Sequence, residues 1–246
     1  MGSKLFFASD LHLGFPDHTN SLIREKKFIR WLDSIAYEAH EIFLVGDIFD
    51  FWFDYKRSVP KGFTRILGKI AELCDRGIKI HYFTGNHDVW LFGYFEDELG
   101  VQVHKEEYKF NYQNKEFYVA HGDGLGPGDH GYKFLKKVFT NRFCQWLFSK
   151  LHPDLGIGIA KYWSLKSREH SEIEAFLGED KEWLVIHSKE LLKEQHFDYF
   201  IYGHRHIPVD IEIGQHSRYI NLGDWIDHFT YAEFADGKLE LKHFVE

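Results

Sequence analysis

The chain has 246 residues, of which 44% are hydrophobic and 28% charged, and its net charge is −8. This length fits one large domain with a sizeable core, and the acidic balance argues against nucleic-acid binding over the whole surface. The only two cysteines, Cys74 and Cys144, leave no room for a disulfide framework or a cysteine metal site.

The first residues predict a strand that leads directly into a polar motif. Residues 5–8 are apolar and stop just before Asp10, which leaves no space for a cleaved signal segment. No apolar run reaches the length needed to span a bilayer. We therefore expect a cytoplasmic protein that can still sit on a membrane surface.

The first half of the chain alternates strands and helices. Apolar runs predict strands at 5–9, 42–45 and 78–84, and apolar periodicity predicts helices at 21–39 and 62–76. This order predicts a layered α/β fold with parallel strands. In such sheets ligands bind beyond the carboxyl ends of the strands.

The second half is richer in strands and carries a long helical stretch. The pattern predicts a hairpin at 108–121, helices over 132–176 with a break from Pro153 to Gly158, and strands at 198–203, 209–213, 217–222 and within 230–246. Together the halves predict one α/β domain over 1–246, a two-sheet β-sandwich flanked by helices. Residues 130–176 would be a helical insertion, or cap, within it.

Five short motifs rich in Asp and His follow apolar runs. They are Asp10-Leu11-His12, Gly46-Asp47, Gly85-Asn86-His87-Asp88, His121-Gly122-Asp123 and Gly203-His204-Arg205-His206. One such motif alone is weak, but five of them are hard to explain as ordinary core or surface residues. Their carboxylates, imidazoles and one amide suit Mn, Fe, Co or Zn. Seven candidate ligands are too many for one catalytic ion and fit two ions with Asp47 as the bridge.

In this order the motifs resemble the calcineurin-like metallophosphoesterases. The resemblance implies a dinuclear site on a β-sandwich, with two divalent ions, which we expect to be Mn²⁺. It implies that Asp10, His12, Asp47 and His206 hold one ion, and that Asp47, Asn86, His121 and His204 hold the other. It also gives catalytic roles to Asn86 and His87, with Asp88 orienting His87.

A narrower resemblance is to the UDP-2,3-diacylglucosamine pyrophosphohydrolases, which make lipid X and UMP and carry a helical insertion between the fourth and fifth motifs. Asp129-His130-Gly131-Tyr132 and Leu222-Gly223-Asp224-Trp225 add to it. The best-known branch has Arg where this chain has His87. Against a pyrophosphate His87 would stabilise charge, whereas an alkoxide leaving group would require a general acid. Both roles stay open, as does a phosphoesterase acting on a soluble nucleotide or phosphodiester.

The insertion differs in charge from the rest of the chain. Residues 130–170 carry a net charge of +6, against −14 elsewhere, and many aromatic residues. This combination predicts an anionic, acylated ligand or an anionic membrane surface, although the aromatics could instead pack on the core. The predicted substrate-binding residues are Asp129, Tyr132, Lys133, Phe143, Trp146, Lys166 and Arg168. We expect peripheral association with the cytoplasmic face of the inner membrane, no nucleic acid and no obligate protein partner.

Overall fold

The computed structural model describes residues 2–127, 130–169 and 175–245. Its first sheet has six strands, in the spatial order β11 (Lys238–His243), β10 (Thr230–Ala235), β1 (Lys4–Ala8), β2 (Ala39–Val45), β3 (Lys79–Phe83) and β4 (Gln102–His104). Strands β1 to β4 are parallel, and β10 is antiparallel to β1 and β11. The parallel half of the prediction is confirmed.

The second sheet has five strands, in the order β5 (Tyr108–Tyr112), β6 (Lys115–Ala120), β7 (Tyr199–Tyr202), β9 (Ser217–Leu222) and β8 (Pro208–Gly214). Its central strands β6, β7 and β9 are parallel, and the outer two are antiparallel to their neighbours. The predicted hairpin is β5–β6, which turns at Gln113 and Asn114 with positive φ.

An apolar core between the two sheets explains the continuous apolar runs. Alternate residues of the strands, such as Phe7 and Phe43 from one sheet and Phe117 and Ile220 from the other, form one buried cluster. The opposite face of β1–β3 lies under helices and is equally buried. Strands covered on both faces lose the polar alternation of a surface sheet. The predicted α/β sandwich with flanking helices is confirmed.

The flanking helices are α1 (His18–Ile35), α2 (Thr64–Asp75), α3 (Tyr94–Leu99) and α7 (Trp183–Leu191). The predicted helix 21–39 was wrong at both ends. It begins earlier because the Asp17 carboxylate accepts a hydrogen bond from the Asn20 amide at 3.0 Å and caps the helix. It ends earlier because Ala39 already belongs to β2.

The first three helices after β6 form the region that we call the cap: α4 (His130–Thr140), α5 (Arg142–Phe148) and α6 (Pro153–Glu169). The predicted break from Pro153 to Gly158 was wrong. Pro153 is the first residue of α6, where its missing amide is not needed. The helical stretch is instead interrupted at Asn141, which caps α5, and at 149–152. No helix in the described ranges combines the length and apolarity that a membrane span requires.

Candidate metal centre

All five motifs lie just after the carboxyl ends of strands, and the structure brings them together. Asp10 and His12 follow β1, Asp47 follows β2 and Asn86 follows β3. His121 follows β6, and His204 and His206 follow β7, so both sheets contribute. Three clusters of potential ligands result: Asp10, His12 and His206; His12, Asp47 and His87; and Asp47, His121 and His204.

The first predicted ligand set is assembled around His12. His12 Nε2 lies 3.1 Å from His206 Nε2, 3.8 Å from Asp10 Oδ1 and 3.6 Å from Asp47 Oδ2. His206 Nε2 is 3.3 Å from the same Asp10 oxygen. These four side chains therefore point their ligand atoms at one small space.

The second predicted set meets the first at Asp47. Asp47 Oδ2, which faces His12, also lies 3.3 Å from His121 Nε2. Asn86 Oδ1 is 3.3 Å from His121 Nε2 and 3.0 Å from His204 Nδ1. One oxygen of Asp47 thus stands between the two sets, as a bridging carboxylate requires.

The hydrogen bonds around the imidazoles leave lone pairs facing the centre. His121 Nδ1 donates to the Val45 carbonyl at 2.9 Å, so its Nε2 carries no proton in the neutral ring. His12 Nδ1 lies 3.5 Å from Asp50 Oδ1, and His206 Nδ1 lies 3.4 Å from Asp224 Oδ2. Both carboxylates favour the tautomer in which Nδ1 carries the proton and Nε2 faces the centre without one. While the rings are neutral, these converging acceptors repel one another unless a cation, either a proton or a metal ion, lies among them.

A buried acceptor gives a second sign of a cation site. Asp10 Oδ1 is fully buried and accepts no hydrogen bond from the described residues, while the other oxygen of Asp10 accepts from the His204 amide at 2.9 Å. An unpaired buried carboxylate oxygen is costly. The donor set and this oxygen both fit a divalent metal, and the chain can hold such metals here.

The ionised carboxylates of the centre also favour positive charge beside them. Burial disfavours the charged form of His121, yet Asp47 outweighs burial and raises the pKa of His121 to about 10. Burial, and then the neighbouring His121, lower the pKa of His204 to about 4, which keeps that ring neutral, as a metal ligand must be. For Asp47 burial opposes ionisation, but His121 and His87 hold the pKa of its carboxyl well below the usual range.

Close backbone packing lets the ligands approach. A Cβ on Gly85 would lie 2.1 Å from Asp47 Oδ1, and one on Gly203 would lie 2.6 Å from Asp10 Oδ2. No side chain fits at these distances. The glycines of the motifs therefore make room for carboxylates that belong to other strands.

His87 lies beside the centre and is held by Asp50. Its Nδ1 donates to the Asp50 carbonyl at 3.0 Å, and its ring centroid is 4.7 Å from that of His12. Its amide donates to Asp47 Oδ1 at 2.9 Å. One ring nitrogen of His87 lies within 4.8 Å of the ligand atoms of His12 and Asp47, so the ring borders the centre.

The expected role of Asp88 requires a correction. Its carboxylate accepts from the amides of Gly85 at 2.7 Å and Ile48 at 2.9 Å, and from the Tyr82 hydroxyl at 2.6 Å. These bonds tie the loop after β3 to the loop after β2. Asp50, rather than Asp88, orients the His87 ring, because the buried amides of the Asp47 loop occupy the Asp88 carboxylate.

Sequence reasoning missed several residues that support the ligands. Asp50 and Asp224 face the outer nitrogens of His12 and His206. Arg205 is the residue between His204 and His206 in the sequence. Its Nε forms a buried ion pair with Glu182 Oε1 at 2.9 Å. Of these acidic residues only Asp224 belongs to a motif, Leu222-Gly223-Asp224-Trp225. The Glu182 contact joins the segment before α7 to the loop after β7, and no local sequence pattern indicates it.

One predicted substrate residue of α4, Tyr132, lies next to the second ligand set. The Tyr132 hydroxyl donates to Asp123 at 2.6 Å, and its ring centroid is 6.4 Å from that of His204. Lys133 Nζ donates to the Gly126 carbonyl. Lys166 is exposed on α6. Asp129 and the side chain of Arg168 lie outside the described parts of the structure.

The cap aromatics divide into two groups. Phe148 packs on Trp90 and Phe53 of the core, with centroids 4.7 and 5.0 Å apart, and the Phe139 carbonyl accepts from Trp90 Nε1 at 2.7 Å. Phe143 and Trp146 stack on each other and are 64% and 53% exposed. Core packing therefore accounts for one group, and the other faces outward.

A cavity of about 520 Å³ separates the cap from the core beside the centre. Leu13, Phe51 and Phe63 line it from the core side, and Ile157 and Lys161 line it from α6. Asp50 is also part of its wall. Phe143 and Trp146 are not among its lining residues, so they do not form this groove.

Comparison with known proteins places these features in context. The sequence profile described as calcineurin-like phosphoesterase matches residues 3–208. A UDP-2,3-diacylglucosamine hydrolase from Porphyromonas gingivalis is 39% identical over 256 residues, covering 98% of both chains. A protein of the same name from Histophilus somni is 26% identical, and the match covers 90% of this chain and 92% of that protein. Another from Proteus mirabilis is 27% identical, and the match covers 97% of this chain and 98% of that protein. The similarity spans the motifs and the cap.

Proposed function

The chain belongs to the calcineurin-like phosphoesterase family, and we propose that it hydrolyses the pyrophosphate bond of UDP-2,3-diacylglucosamine to 2,3-diacylglucosamine 1-phosphate and UMP. The observation that carries this proposal is the 39% identity to a UDP-2,3-diacylglucosamine hydrolase over 98% of both chains. The charge of the cap and the cavity beneath it support a ligand that is both anionic and acylated.

The proposed centre would hold two divalent ions, one through Asp10, His12 and His206, the other through Asn86, His121 and His204, and both through Asp47. When bound, the ions would supply an activated water and clamp the phosphoryl oxygens. We propose Mn²⁺ as one of the ions (Mn, Fe, Co or Zn) that suit carboxylate, amide and imidazole ligands without a thiolate. The position of Asp47 Oδ2, 3.6 Å from His12 and 3.3 Å from His121, supports the bridge.

His87 is the proposed charge-stabilising donor. Since its Nδ1 proton is bound to the Asp50 carbonyl, the donor that the protonated ring would offer to a phosphoryl oxygen is Nε2. A donor fixed before the reaction costs no reorganisation as charge develops on the phosphoryl oxygens. A phosphate leaving group needs little protonation, so this role suits a pyrophosphate.

The cap is the proposed substrate-binding and membrane-facing region. Tyr132 stands beside the second ligand set, and Lys133 and Lys166 add positive charge on α4 and α6. The cavity would accept acyl carbons, each contributing about 0.8 kcal/mol when buried. The exposed Phe143 and Trp146, with Lys150 5.3 Å from the Trp146 ring, suit the interface of an anionic membrane. Asp129 and Arg168 are proposed on their motif and charge alone.

Parallel hydrolysis assays with added Mn²⁺ test the proposal. UDP-2,3-diacylglucosamine should yield UMP, whereas UDP-glucosamine without acyl chains should react at least 100-fold more slowly at equal low concentration, the loss expected from about four unburied methylenes. Asp47→Asn should abolish both reactions. Equal rates on the acylated and deacylated compounds, or turnover only of a soluble phosphodiester, would overturn the substrate assignment and favour a general phosphoesterase.

A further inference from the structure

Asp50 connects two groups of the centre. Its carboxylate Oδ1 lies 3.5 Å from His12 Nδ1, and its backbone carbonyl accepts from His87 Nδ1 at 3.0 Å. Asp50 is itself buried, with 7% of its surface exposed. The orientation of a metal ligand and of the proposed donor therefore depends on one residue.

The cap supplies a donor to this carboxylate. Ser164, on α6, is 6% exposed, and its hydroxyl lies 3.0 and 2.9 Å from the two oxygens of Asp50. The partners are 114 residues apart in sequence. A buried carboxylate is stable only with donors around it, so the cap is bound to the core at the point where the core holds His12.

The same face of α6 lines the cavity. Ile157 and Lys161 contribute to the cavity wall, and Ser164 follows at the spacing that keeps residues on one side of a helix. Asp50 lies in that wall as well. A change in the position of α6 would therefore act on the Asp50 carboxylate through Ser164.

We propose that Ser164 and Asp50 are positioning residues that couple the cap to the metal centre, so that seating of α6 and binding of divalent metal stabilise each other. The inference rests on the proposed function only for the presence of metal at this centre and not for the substrate. Coupling between two sites is reciprocal. Metal bound at the centre must then make the cap harder to open.

Hydrogen exchange of the α6 amides, with and without Mn²⁺, measures this coupling directly. In the unaltered protein Mn²⁺ should slow exchange across residues 153–169, and Ser164→Ala should lose roughly tenfold of that slowing, as expected for a hydrogen bond to a charged group. Ser149→Ala is the matched control, because its hydroxyl donates only to the Trp146 carbonyl on the cap. No Mn²⁺-dependent slowing in the unaltered protein, or equal slowing in Ser164→Ala, would overturn the proposal.

The affinity for Mn²⁺ separates coupling from a merely structural role. Asp50→Asn should weaken binding roughly 10- to 100-fold, and Ser164→Ala roughly tenfold, whereas Ser164→Thr, which keeps the hydroxyl, should bind more tightly than Ser164→Ala. If Ser164 acts through Asp50, the double variant should match Asp50→Asn within about twofold. Additive losses would contradict the proposal. Neither measurement uses a nucleotide sugar, so failure of the substrate assay leaves both results interpretable.

Discussion

Five of the predicted ligands have a left-handed backbone conformation, which sets the direction of their side chains. Asp10, His12 and Asp47 have φ of 55°, 44° and 52°, and His204 and His206 have φ of 68° and 56°. This left-handed region costs non-glycine residues of the order of 1–3 kcal/mol each. The motifs are thus strained turns whose conformation is held by the surrounding bonds, and their residue types alone do not reveal this.

Gly85 gives the sharpest test of the close packing around Asp47. Gly85→Ala would place a methyl group 2.1 Å from Asp47 Oδ1, so the carboxylate must move away from the position between the two ligand sets. We expect at least a 100-fold loss of Mn²⁺ affinity by calorimetric titration, more than removal of a supporting hydrogen bond causes. Gly68→Ala is the control, because nothing lies within 4 Å of that added Cβ on the exposed side of α2. The Gly68→Ala variant should keep its Mn²⁺ affinity and gain up to about 1 kcal/mol of stability. Unchanged Mn²⁺ affinity in Gly85→Ala would contradict the packing argument.

His87 should affect turnover and leave metal content unchanged. Its ring is fixed by the Asp50 carbonyl and faces the centre without belonging to either predicted ligand set. His87→Ala should lower kcat roughly 10²- to 10³-fold, the cost of a lost charge-stabilising donor. Metal content measured by elemental analysis should stay the same. Stoichiometric loss of metal would instead make His87 a ligand, which its place near His12 and Asp47 would then explain.

At the scale of helices and strands, local sequence patterns predicted the elements, but they did not predict contacts between distant segments. Each motif follows an apolar strand, so the position of the predicted ligands at the carboxyl ends of the strands is confirmed. The Ser164–Asp50 contact and the hydrogen bonds of Asp88 to the loop after β2 join distant segments, which no periodicity reports. Pro153 was interpreted as a break, because a proline is compatible with both the start and the end of a helix.

The edge of the first sheet should be sensitive to acid. His104 on β4 lies 2.8 Å from His81, and burial followed by the charges of His81 and Lys79 lowers the pKa of His104 to about 4. The unfolded chain therefore takes up this proton first, and the associated stability is lost as pH falls from about 6.5 to 4. When the pH is lowered from 7 to 5, the melting temperature of both proteins should fall. The fall should be smaller in His104→Gln, and the difference between the two falls should be roughly 2 °C.

The matched variant for this experiment is His216→Gln, whose side chain is 99% exposed. Its melting temperature should fall with pH as in the unaltered protein. Identical pH dependence for His104→Gln would show that His104 titrates normally in the folded state.

Helix α5 should contribute to membrane binding through its outward-facing aromatics. Replacing the exposed Phe143 and Trp146 with Ser should reduce binding to anionic phospholipid vesicles at least tenfold in a sedimentation assay, since both rings suit the interface. Tyr37→Ser is the control, because Tyr37 is 85% exposed but lies after α1, outside the cap. Unchanged binding of the α5 variant would remove the support for a membrane-facing cap.

Across the whole molecule, charge and function are divided between the two parts of the chain. The sandwich supplies all the predicted ligands and much of the acidic charge, and residues 130–170 carry a net charge of +6. An anionic substrate or membrane would meet the cap first, whereas the acidic sandwich attracts divalent cations. The link through Ser164 and Asp50 would make these two parts act together.

The dinuclear centre is tested most directly by anomalous diffraction from crystals soaked in Mn²⁺. We predict two anomalous peaks, one on each side of Asp47, at the separation of about 3.5–4 Å typical of such centres. Asn86, His121 and His204 should contact one ion, and Asp10, His12 and His206 should contact the other. A single peak, or two peaks that do not touch Asp47, would contradict the assignment.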